Sequence, residues 1–190
     1  MIQKLLLFFI FQGIVYAYET KIFVNNTYIP ENFYKYDKDF KNAAKKYNIP
    51  VFLLKAIALT ENASFEHDSI GINKNKTKDY GLMQINSIHL KRYGISKKDI
   101  QRACVNIDTA ARLLYEIIQK HGFNWDAIGR YHSSNEKYKN IWLNKVAKNF
   151  ITVIFKDIND LIVVEKIRVT KLMYLLLSFN EKQYLHLANN

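Results

Sequence analysis

Cysteine is almost absent. Cys104 stands alone among 190 residues, so an internal disulfide is excluded. It precedes a strongly periodic apolar run, which makes a buried, inert thiol the expectation. Glycine and proline are scarce, at six and two residues, which argues against a turn-rich all-β fold and for helices. The five histidines, His67, His89, His121, His132 and His186, are scattered. No pair of them has the spacing of a metal site, so neither a metal nor a cofactor is expected. There is no internal repeat and no low-complexity tract.

Apolar residues are plentiful, at 49% of the chain with 13 Tyr and 12 Phe. That is enough for one well-filled domain. Residues 1–17 read as a secretory signal: Lys4, then the apolar run Leu5 to Phe11, then Val15-Tyr16-Ala17 as the cleavage-site residues. The run is too short to span a bilayer comfortably, and no cysteine follows it to take a lipid. The formal charge is +11, and cleavage after Ala17 removes only Lys4 and leaves +10. Such a charge suits a polyanionic partner, and export turns the choice from nucleic acid toward a cell-wall polymer or an anionic lipid surface.

The apolar periodicity predicts a helix over Glu31–Tyr47, with Phe33, Tyr36, Phe40, Ala43 and Ala44 on one face. Asn48-Ile49-Pro50 breaks it. Pro50 then suits the start of a second helix, Val51–Glu61, which is apolar nearly all round and so belongs in the middle of the domain. Residues 62–80 are polar and read as a long loop, a length usually reserved for function or disorder. Further helices are predicted at Ser87–Tyr93, Lys97–Ala103, Asn106–Lys120, Trp125–Tyr131 and Glu136–Phe150. The resulting organisation is a signal at 1–17, an all-α domain at 18–150, and an extension at 151–190. That extension mixes β-branched and apolar runs, with Lys166, Arg168 and Lys171 among them. These charges disfavour a membrane span; packing on the domain or on a partner is the expectation, with an anionic membrane surface as the alternative. A chain ending after Phe150 is expected to fold and act.

Glu61 closes the apolar helix. Burial beside apolar surface favours the neutral form of a carboxyl, and a neutral carboxylic acid can protonate a leaving glycosidic oxygen. Asp79 follows after the polar segment, and then Gly81-Leu82-Met83-Gln84-Ile85-Asn86, an apolar stretch carrying two amides. Glu61-Asn62 with Phe65, the Gly81–Asn86 stretch, and Ala127-Ile128-Gly129-Arg130-Tyr131-His132 together resemble the lysozyme-like lytic transglycosylases that cut bacterial peptidoglycan. The closest likeness is to the small members that accompany secretion, conjugation and pilus machines. The resemblance covers roughly residues 35–150.

It implies an all-α, lysozyme-like helical bundle with a long loop over the substrate groove. It also implies Glu61 as the single catalytic acid, and Gln84, Asn86, Met83, Tyr131, Asn62 and Asp79 as substrate-binding residues. Leu82 and Ile85 would face the core, and Gly81 would let backbone approach the cleft. The implied reaction cleaves the MurNAc–GlcNAc bond with formation of a 1,6-anhydro ring, in the periplasm of a bacterium, with peptidoglycan as partner. Two positions depart from the family pattern: Asn62 stands for its Ser, and His132 for its Asn. Asp79 also matches the second acid in the similar stretch of animal lysozymes, so a muramidase that hydrolyses the bond with Glu61 and Asp79 is the main alternative. A non-enzymatic wall-binding scaffold is another.

Overall fold

The computed structural model describes residues 29–165. The signal segment 1–17 and the tail beyond 165 lie outside the described residues. A 3-10 turn over Glu31–Tyr36 leads into α1, Asp37–Tyr47. The single helix predicted over Glu31–Tyr47 is therefore two. The tighter winding aligns residues three apart, and Phe33 and Tyr36 are both buried. α2 spans Val51–Glu61, as the apolar run predicts, with Leu53 through Leu59 all buried. Asn48 (φ 53°) takes the left-handed cap between the two helices.

Residues 62–80 are not one long loop. They contain β1, Ile70–Ile72, and β2, Lys78–Tyr80, which pair antiparallel, and β3, Ile85–Asn86, continues the sheet on the other side of β2. The fold remains mainly helical, but this small sheet forms one wall of the functional groove. Its hairpin is closed by asparagine chemistry: Asn73 N–H donates to Thr77 O (2.9 Å), and Asn75 Oδ1 accepts from Thr77 N–H (3.1 Å). Strands of two and three residues are too short for alternation to show in the sequence.

α3 covers Ser87–Tyr93 and α4 covers Ala103–His121. The predicted helix at Lys97–Ala103 is instead a 3-10 turn, Asp99–Gln101. α4 begins three residues earlier than predicted, which places Cys104 in its first turn, where it is exposed. The expectation of a buried thiol fails because Cys104 falls off the apolar face, which starts with Asn106 and Ile107. α5 is Trp125–Gly129, and α6 runs from Glu136 to Glu165. Asn135 caps α6 through Oδ1, which accepts from Lys137 N–H (3.1 Å).

α6 continues well past Phe150. Ile151, Thr152 and Val153 are buried, because Leu143, Val146, Phe150 and Val153 recur at helical spacing on one face. The compact unit closes at Val153. The β-branched residues Ile162, Val163 and Val164 lie within the helix. Among the described residues no helix is long and apolar enough to cross a membrane.

α2 is held by a charge inside the domain. Lys55 is 2% exposed and pairs with Asp37 at the start of α1. Its ammonium also lies over the rings of Phe33 (5.1 Å) and Tyr34 (5.3 Å). A buried cation left unpaired would be costly, so this pair sets how α1 lies on the helix that carries Glu61.

Candidate active site

A groove of about 670 Å³ opens at the end of α2, lined by Glu61, Asp79, Gln84, His89, Tyr131 and His132 among others. Glu61 enters it from the last position of α2, with its side chain 14% exposed. Its Oε1 accepts the indole N–H of Trp142 at 2.8 Å. His132 Nδ1 lies 3.7 Å from the same oxygen, beyond hydrogen-bond range. One residue back, Thr60 Oγ1 accepts from Asn149 Nδ2 (2.9 Å). Trp142 and Asn149 are seven apart on α6, two helical turns along one face. α6 thus grips the end of α2 at two successive residues, and so fixes the acid.

Asp79 sits on β2, the middle strand, in register with Gly71 on one side and Asn86 on the other. Its two oxygens are each taken by an amide: Oδ2 accepts from Asn73 Nδ2 (2.8 Å), and Oδ1 from Asn86 Nδ2 (2.7 Å). The side chain is clasped within the sheet while still facing the groove. Asn86 lines the groove beside it; its Nδ2 also donates to Thr77 Oγ1 (3.0 Å), and its Oδ1 caps α3 by accepting from Ile88 N–H (3.1 Å). Asn86 thus holds Asp79 and starts α3 while standing at the groove.

Gln84 lines the groove in a left-handed backbone conformation (φ 44°). Its Nε2 donates one of its two N–H groups to Gly81 O at 2.7 Å. Met83 is fully buried and cannot touch substrate with its side chain. Its carbonyl accepts the Tyr131 hydroxyl (2.9 Å), and its N–H donates to Asn106 Oδ1 (2.8 Å). Asn62 is also buried, with Nδ2 donating to Glu66 O (2.7 Å) and Gly81 O (3.3 Å). It holds the turn after α2. Leu82 and Ile85 face the core as expected, at 0% and 1% exposure.

Gly81 does allow a close approach, but to α4 and not to the cleft. A Cβ there would lie 2.6 Å from Asn106 Nδ2, and φ is +73°. Asn106, fully buried, donates to Tyr80 O (2.7 Å) and Ile100 O (3.1 Å) as well as accepting from Met83. It is the hidden anchor of the whole 80–84 turn. Asn106 was missed in the sequence, although a polar residue at the start of an apolar helical stripe is a signal that could have found it.

Tyr131 reaches the groove from the turn after α5. Burial, and then the charges of Glu61 and Asp79, push its phenol well above the ordinary tyrosine range. The hydroxyl therefore stays protonated and donates to Met83 O, acting as a strut between α5 and the 80–84 turn. His89 also lines the groove, and burial followed by the Arg92 charge lowers its pKa, favouring the neutral ring. Trp142, missed in the sequence, is 4% exposed. Tyr131 (6.0 Å, 20°) and His132 (5.4 Å, 4°) both stack against it. Away from the groove, ligand-type atoms of Glu66, His67 and Asp68 come within 4.8 Å of one another, a grouping that residue spacing did not suggest. Glu66 and Asp68 are exposed there, and Glu66 Oε1 accepts from Asn32 Nδ2 (3.3 Å).

Residues 38–153 match the family described as Transglycosylase SLT domain. Protein IpgF of Shigella flexneri is 41% identical over 101 residues, which cover 51% of this chain and 66% of IpgF. The chain thus spans slightly less than two thirds of that relative. Invasion protein IagB of Salmonella typhi is 37% identical over 110 residues, covering 56% of this chain and 68% of IagB. A peptidoglycan-binding-like protein of Escherichia coli O157:H7 is 33% identical over 137 residues, covering 64% and 78%. With the match extending from α1 to the end of the compact unit, and with the acid, the 81–86 turn and Tyr131 all meeting at one groove, the chain belongs to the transglycosylase SLT domain family.

Proposed function

We propose that this protein is a peptidoglycan lytic transglycosylase in which Glu61 is the proton donor and acceptor. The observation that carries the reading is the setting of Glu61: a part-buried carboxyl at the end of an apolar helix, opening on a groove of about 670 Å³ lined by polar side chains. The neutral carboxyl gives its proton to the glycosidic oxygen as the C1–O bond of the muramic residue breaks, and the bonding pair leaves with that oxygen. The resulting carboxylate then takes the proton of the muramic 6-hydroxyl as O6 bonds to C1. Glu61 ends as it began, a 1,6-anhydro ring is formed, and no water is consumed. Asp79, fixed by Asn73 and Asn86, supplies negative charge to the oxocarbenium-like centre between these steps.

Export to the periplasm, opening of the wall for a secretion, conjugation or pilus apparatus, and binding to glycan strands belong to the same proposal. They are supported by the signal-like segment, by the charge of +11, and by the name invasion protein carried by one relative. A second reading rests on Asp79, because a clasped carboxylate facing the groove is also what a hydrolysing muramidase needs. A third, the wall-binding scaffold, predicts no turnover by the wild-type chain.

The test is Glu61→Gln on purified sacculi. The amide is nearly isosteric but has no proton to donate to the leaving oxygen, so turnover should fall by about 10²–10⁴-fold with an unchanged thermal midpoint. A variant keeping more than a few per cent of activity would remove Glu61 from the role.

A further inference from the structure

The two oxygens of Glu61 are not equivalent. Oε1 accepts the Trp142 indole N–H at 2.8 Å, and an indole nitrogen is a donor only. An oxygen that accepts this bond is disfavoured as the carrier of the acid proton, which falls to Oε2. Trp142 itself is 4% exposed and is absent from the groove lining, so it does not contact a glycan in the groove. His132, which stands where the family pattern has Asn, lies parallel to the indole at 5.4 Å and 4°. Tyr131 packs on the same indole at 6.0 Å and 20°. Two consecutive groove residues therefore hold the indole in the plane that its bond to Glu61 needs. Asn149, seven residues on, ties the same helix to Thr60, so the donor and the acid are registered by one rigid element.

We propose that Trp142 is a positioning residue for the acid: its N–H pins Oε1, leaves the transferable proton on Oε2, and aims that oxygen into the groove. This rests on the reading of Glu61 as the catalytic acid. The proton that leaves Oε2 for the glycosidic oxygen and the proton later taken from the 6-hydroxyl both pass through this one atom. Oε1 keeps its N–H partner throughout, and that partner becomes a charge-assisted donor while the carboxylate exists. The stack of His132 on Trp142 is what keeps the indole from turning, which gives the departure at position 132 a purpose.

The test compares the wild type with Trp142→Phe and with a protein carrying benzothienylalanine at 142, in which sulfur replaces the N–H and ring size is kept. Substrate is a soluble glycan fragment of defined length, so that kcat and KM separate. The expected result is a fall in kcat of about ten- to a hundredfold in both variants, with KM within about twofold. The benzothienyl protein also guards against misfolding of the phenylalanine variant. Indole N–H resonances supply a readout that structure alone would not move. Only Trp125 and Trp142 contribute, and the Trp142 signal should follow the protonation of Glu61 with pH and cease to do so in Glu61→Gln. A benzothienyl variant with kcat within about twofold of wild type, or one that raises KM alone, overturns the proposal while Glu61→Gln remains inactive. An active Glu61→Gln would instead overturn the acid assignment on which it rests.

Discussion

Asp79 and Glu61 share a groove but not a setting. Glu61 has one indole N–H on one oxygen, whereas Asp79 has both oxygens occupied by amides. In a single-acid mechanism Asp79 contributes charge and no proton. Asp79→Asn should then lower turnover by about tenfold or less, against at least about a hundredfold for Glu61→Gln, in digestion of the same sacculi. Equal losses would favour the two-carboxylate hydrolase. The chemistry-bearing residues were legible in the sequence, and their roles less so. Glu61, Asp79, Gln84 and Tyr131 do meet at the groove. The family resemblance implied Met83, Asn62 and Asn86 as substrate contacts. Met83 and Asn62 are buried and bonded to the 80–84 turn or its neighbours, while Asn86 lines the groove and holds Asp79. A sequence shows which polar groups will be buried, but not which carbonyl lies 19 or 48 residues away to receive them, as Gly81 O does for Asn62 and Met83 O for Tyr131.

At the scale of elements, long apolar periodicity carried the reading and short polar segments defeated it. α2 and α3 have the predicted ends, because Pro50 marks the start of the apolar α2 and Gly94, at φ 66°, the end of α3. The sheet was missed because its strands hold two or three residues each, and only the Asn73–Thr77 turn left a trace. Trp142 was invisible as a partner of Glu61, since 81 residues separate them. The link between α1 and α2 yields a prediction. Burial pushes the Asp37 carboxyl up, but hydrogen bonds from Lys41 and Lys55 outweigh it and hold the group below its ordinary 3.8. The folded value lies below the unfolded one, so this contribution is complete above about pH 4 and is lost as the pH falls further through the folded value. Asp37→Asn should cost about 3–5 kcal/mol, by leaving the Lys55 ammonium buried without its carboxylate. Urea unfolding at about pH 7 and about pH 3 checks both points: the variant should be the weaker at the higher pH, and the gap should narrow at the lower. A gap that does not change with pH would remove Asp37 from the role.

At the scale of the molecule, the compact unit ends where Val153 completes the face begun by Leu143, not at Phe150. A chain ending after Phe150 should lose about 2–4 kcal/mol of stability, read as a lower urea midpoint, whereas one ending after Asp157 should match the full chain. A charge of +11 further predicts that the Glu61→Gln protein binds sacculi less as salt rises from about 50 to about 300 mM. Binding indifferent to salt would mean that the lysines are solvated surface and no more. Both the groove and the charge serve one claim, that a single carboxyl opens a glycan without water. The most direct measurement of it is the mass of the released muropeptide ends after digestion of purified sacculi by the wild-type protein. Ends one water lighter than the reducing sugar, carrying 1,6-anhydro-muramic acid, are the predicted result, and reducing ends as the main product would contradict it and make Asp79 a catalytic partner.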